Sequence, residues 1–122
     1  MASLSIARAL SLVCLMAPLL GACVAHGESS TGRASLLATT VSRAITCRAG
    51  SPQRTTLDRF LAAEKARGAD DQQIAAARAA YVGVSEAEIV NQGVRPQACT
   101  AQERAELRER MSRIRAGNFD AL

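Results

Sequence analysis

CTAQERAELRERMSRIRAG, residues 99 to 117, carries a complete set of helix signals. Thr100 stands three residues before Glu103, the capping-box spacing in which a hydroxyl and an acid satisfy the unpaired N–H groups of a helix start. Leu107, Met111 and Ile114 then recur at helical spacing among polar residues. Gly117 falls where a helix-ending left-handed residue belongs. The first letter is a cysteine, so this helix begins beside a candidate covalent tie.

Working towards the amino terminus, the same punctuation recurs. Ser85-x-x-Glu88 reads as another capping box, with Val84 and Ile89 as its hydrophobic staple, opening a short helix that ends near Gln92-Gly93. Asp70-x-x-Gln73 opens a helix carrying Ile74, Ala77 and Tyr81 and stopped by Gly83. Thr55-x-x-Asp58 caps one with Leu57, Phe60 and Leu61, stopped by Gly68. Residues 48–53 form a turn. The first helix is expected from Ser35 to Cys47, with Leu37, Val41, Ala44 and Ile45 on one stripe. Its β-branched Thr39, Thr40, Val41, Ile45 and Thr46 leave a strand as the alternative. Alanine occupies 25 of 122 positions and there are only three aromatics, so large apolar side chains are scarce. Alanine is the best helix former and a poor strand former. The expectation is one all-α domain over residues 35–122, a small bundle of four to five short helices stapled by one disulfide.

The chain opens differently. Arg8 precedes Ala9 to Leu20, an uncharged run interrupted only by Ser11 and Pro18. It is too short to span a bilayer, which needs about 20 apolar residues. A positive start, a short apolar run and small residues after it have the layout of a secretory signal peptide, expected over residues 1–22. Leu20-Gly21-Ala22-Cys23 resembles the bacterial lipobox. That resemblance implies a diacylated Cys23 at the new amino terminus, and two or three acyl chains anchor a protein where one binds only marginally. The second lipobox position is Gly here, where Ala or Ser is commoner. The other reading is cleavage after Cys23-Val24-Ala25, releasing a soluble periplasmic or secreted protein that starts at His26. Residues 23–34, rich in Gly, Ser and Thr, read as a flexible tether. In lipoproteins, a residue other than Asp after the lipidated cysteine directs the chain to the outer membrane, and Val24 fits that address.

Of four cysteines, Cys14 leaves with the signal and Cys23 is lipidated or removed. Either way Cys47 and Cys99 remain, an even pair suited to an oxidising compartment. Their bridge would join the first helix to the base of the last.

Catalytic signals are missing. Nucleophilic catalysis of the Ser–His–Asp or Cys–His kind needs a histidine near the nucleophile, and the only one, His26, sits in the tether. There is no phosphate-binding glycine loop and no metal-ligand spacing. The acids sit at helix starts or pair along a helix, as Glu106 with Arg110 and Glu109 with Arg113 do. No cofactor, no metal and no enzymatic activity are therefore expected. Arginines outnumber lysines 14 to one, and without Arg8 the count is 14 basic against 11 acidic residues, or +3. On the last helix Arg104, Arg108 and Arg115 fall within about 40° of one another along one edge of the apolar stripe. Such guanidiniums bind carboxylate or phosphate through paired hydrogen bonds. Equally, they serve as a solvated flank whose stems cover thin apolar surface. As a site, they would take an anionic envelope component: a lipid headgroup, lipopolysaccharide or an acidic protein. Nucleic acid is not expected, given the compartment and the lack of aromatics.

Cys47 and Cys99, separated by short helices, with the second in QACT (residues 97–100) before a final charged helix, resemble the periplasmic acid-stress chaperones of the HdeA kind. Those are small, helical and held by one disulfide, but soluble rather than lipid-anchored. The resemblance implies exposure of apolar surface in acid to bind unfolding clients.

Overall fold

The computed structural model describes residues 29–122. The expected signal peptide, the expected lipidation site Cys23 and the first part of the expected tether lie outside the described residues. Four α-helices follow in order: α1 (Ser30–Thr46), α2 (Thr56–Ala66), α3 (Asp71–Val94) and α4 (Ala101–Arg115). No strand occurs among the described residues, so the β-branched run of Thr39 to Thr46 is helical. Disulfide-linked Cys47 and Cys99 complete the all-α fold.

α1 is the central element and packs against both α3 and α4, while α2 packs against α3. Its Ala34, Leu37, Ala38, Val41 and Ala44 are buried along one stripe. Phe60 and Leu61 of α2 and Leu107, Met111 and Ile114 of α4 complete the core with Phe119 from the chain end. Phe60 and Phe119 meet edge to face at 5.5 Å, the arrangement that the ring quadrupoles favour. Ala77 is the one fully buried residue of α3, and Ile74, Ala80 and Tyr81 pack against the core beside it.

Two boxes cap as the spacing requires. Asp70 and Gln73 exchange side chain-to-backbone bonds at 2.8 Å each. Thr100 accepts from the Glu103 N–H at 3.0 Å. At the end of α4, Gly117 takes φ +83 and the Asn118 N–H returns to the Arg113 carbonyl.

Four expectations need correction. α1 starts at Ser30, inside the stretch assigned to the tether. Ser29 caps it by accepting from the Gly32 N–H at 3.0 Å, and Arg33 is buried. Gly83 does not end a helix: α3 continues through it for 24 residues. An interior glycine costs only about 1 kcal/mol relative to alanine, which packing and the flanking helix formers offset. Ser85 interacts with Tyr81 one turn earlier instead of capping, and Ile89 is exposed, so it staples nothing. Thr55 stands at the start of α2 without a side-chain cap bond. Thr56 takes up the local donor instead, accepting from the Gln53 N–H at 2.9 Å, and Asp58 pairs with Arg78.

Candidate anion-binding site

The end of α1 and the start of α4 are stitched together twice. Cys47 and Cys99 form the covalent link, their Cα atoms 5.6 Å apart. Arg43, one turn earlier on α1, grips both Glu103 carboxylate oxygens at 2.6 and 3.0 Å and donates to the Ala98 carbonyl at 3.1 Å. The Arg43 hydrogen bond holds the Glu103 carboxyl below its ordinary range, and the same contact raises Arg43. Because Glu103 has a lower pKa folded than unfolded, its contribution is fully present above the unfolded carboxylate range and disappears as pH falls through the lowered value. Glu103→Gln should therefore remove part of the acid sensitivity of folding, measured as the fall in melting temperature between about pH 7 and about pH 3. An unchanged acid profile would show that the contact contributes nothing in solution.

Beside this stitch lies an open hollow of about 530 Å³, lined by Thr46, Cys47, Arg48, Gln97, Ala98, Cys99, Arg104 and Arg108. Three of the lining residues are arginines and none is acidic. The nearby Glu103 is occupied by Arg43. Arg104 is steadied by donating to the Cys99 carbonyl at 3.1 Å.

Arg48 is unusual in its backbone. It is the one non-glycine residue with positive φ, +53, among the described residues. It ends α1 where glycine is the common choice, while the Ala49 N–H returns to the Ala44 carbonyl at 2.8 Å. An L-residue in this region costs on the order of 1–2 kcal/mol. The disulfide at the preceding residue and buried Ala49 at the next fix the turn. Arg48 is thereby set among the residues that line the hollow.

The arginines singled out on α4 are therefore divided. Arg104 and Arg108 line the hollow. Arg115 lies apart and donates to the Ser51 carbonyl at 2.8 and 3.2 Å, tying α4 to the α1–α2 turn. Arg48 replaces it, and helical periodicity on α4 had no means of showing that. The disulfide did: once Cys47 is joined to Cys99, the residue after Cys47 must lie near the first turn of α4.

Cys47, Cys99 and Glu103 are the one group of potential metal donors gathered among the described residues. Both sulfurs are spent in the disulfide and the carboxylate is held by Arg43. No described helix is long and apolar enough to cross a membrane. No family model, no curated protein and no solved structure matches the chain.

Proposed function

We propose that the protein is a small, lipid-anchored, non-catalytic module of the bacterial envelope that faces the periplasm and holds an anionic partner in the hollow between Arg48, Arg104 and Arg108. The observation that carries this reading is a hollow lined by three arginines from two elements and by no acidic residue. Arginine is suited to the task because its planar fork donates two hydrogen bonds to one carboxylate or phosphate and never loses its charge.

The anchor and the hollow lie at opposite ends of α1. With Cys23 lipidated, five residues lie between it and Ser29, six steps along the chain that reach at most about 20 Å. The 17 residues of α1 add about 25 Å at 1.5 Å per residue. Together these lengths allow the hollow to stand up to about 45 Å from the membrane.

Two measurements test this reading. Mass spectrometry of the mature amino-terminal peptide should find an acylated Cys23; an unmodified amine at Val24 or His26 would exclude the anchor. In calorimetric titration, inorganic pyrophosphate should bind the wild-type chain and weaken with salt, since exposed charges are screened over about 8 Å at physiological ionic strength. Replacing Arg48, Arg104 and Arg108 together by Gln should abolish the heat and leave the melting temperature nearly unchanged. Binding that survives the triple replacement would dismiss the hollow as a site.

A further inference from the structure

Both halves of the disulfide, Cys47 and Cys99, line the arginine hollow. Structural disulfides resist reduction, whereas exposed ones are the labile and regulatory ones. This bridge has one half of each kind: Cys47 is 3% exposed, and Cys99 is half-buried at the wall of an open hollow.

The arginines of the hollow are tied to the bridge by short paths. Arg48 follows Cys47 directly, in the left-handed turn at φ +53. Arg104 donates to the carbonyl of Cys99 itself at 3.1 Å, and Arg108 lines the hollow one turn further along α4. Between these two sides the bridge is the one covalent crosslink among the described residues, with its Cα atoms 5.6 Å apart.

We propose that the hollow is a redox-coupled anion site, which holds its anion while the Cys47–Cys99 bridge is closed and releases it when a dithiol opens the bridge. The inference rests on the reading of the hollow as an anion site. In the opening step the dithiol gives up two electrons and two protons. The sulfur–sulfur bond breaks, Cys47 and Cys99 become thiols, and the dithiol closes to a disulfide of its own.

What the hollow loses on opening is position, since all three guanidiniums keep their charge. The left-handed turn at Arg48 costs on the order of 1–2 kcal/mol. Opening removes one of the two features that hold it, leaving buried Ala49 alone. Guanidiniums free to move bind an anion more weakly than fixed ones, because binding must then order them. The bundle itself outlasts the change. Arg43 still joins α1 to Glu103 and the Ala98 carbonyl, and Arg115 still ties α4 to the Ser51 carbonyl.

Such a coupling is reciprocal. The factor by which the closed bridge strengthens anion binding is also the factor by which bound anion protects the bridge from reduction. Two measurements on the mature chain therefore close one cycle. In calorimetric titration with inorganic pyrophosphate, the chain reduced by dithiothreitol should bind at least about fivefold more weakly than the oxidised chain. Its circular dichroism should stay helical. In the second measurement, peptide mapping after thiol alkylation reads the fraction reduced at a series of dithiothreitol ratios. Saturating pyrophosphate should shift that equilibrium towards the disulfide by the same factor. The shift should vanish when Arg104→Gln and Arg108→Gln are combined. No heat with the oxidised chain would dismiss the anion site and the coupling together. Equal affinity in the two redox forms would overturn the coupling and leave the anion site standing. Loss of helix on reduction, or a shift that survives the arginine replacements, would overturn it as well.

Discussion

Cys47→Ser should lower the free energy of unfolding by about 2–5 kcal/mol. The bridge spans a sequence separation of 52 residues, and closing a loop of that length in the unfolded chain corresponds to roughly 4 kcal/mol of lost entropy. A domain of this size has only about 5–15 kcal/mol in all. The variant should nonetheless fold to the same arrangement. Arg43 still holds Glu103 and the Ala98 carbonyl, and Leu107, Met111 and Ile114 still dock α4 on the core. Urea unfolding followed by circular dichroism decides this. The native spectrum should be kept, the midpoint lowered and the slope steepened, because an unfolded chain freed of its loop exposes more surface. A midpoint within the error of wild type would mean that the bridge has no stabilising role. The variant also loosens the rim of the hollow, so anion binding should fall more than stability alone explains.

The elements that were legible in the sequence are those whose signals are local. Asp70 with Gln73, Thr100 with the N–H of Glu103, and Gly117 each act within a single turn, and a turn is visible in a string of letters. The alanine-rich composition led to the all-α class for a similarly direct reason. Gly83 and Ser85 misled because the same residue types serve two purposes. A glycine and a serine mark a break only when nothing holds the helix together across them. Here α3 lies against α1, and Tyr81 engages Ser85. Which of these wins is a tertiary matter.

The site was half legible for the same reason. Arg104 and Arg108 share a helix face, which periodicity resolves. Arg48 joins them from 56 positions earlier in the chain through the disulfide and a left-handed backbone turn, and no periodic pattern encodes that.

The start of α1 departs furthest from its local reading and gives the second large effect. Residues 29–34 are polar and small, as a linker is, yet Arg33 is buried against Glu64 of α2, with side chains only 8% and 3% exposed. Arg33 Nε donates to Glu64 Oε1 at 2.8 Å, and its other nitrogen donates to the Phe119 carbonyl at 2.7 Å. Ser30 donates to the second carboxylate oxygen at 2.8 Å. One carboxylate therefore joins the first turn of α1 to α2, and one guanidinium joins both to the chain end. Glu64→Ala should cost about 3–5 kcal/mol, because it strands a buried guanidinium without its counter-charge. The cost arises from the orphaned partner rather than from any large worth of the pair. Replacing both together, Arg33→Met with Glu64→Leu, should accordingly restore most of the loss, since a buried pair exchanged for apolar residues of similar volume is often neutral or better. Urea midpoints of the two single variants and the double variant form a closed cycle. A double variant as unstable as Glu64→Ala would mean that the pair holds the fold through its own attraction. Recovery would assign it the role of fixing where α1 begins, and with it the distance between the proposed lipid anchor and the hollow at the helix's other end.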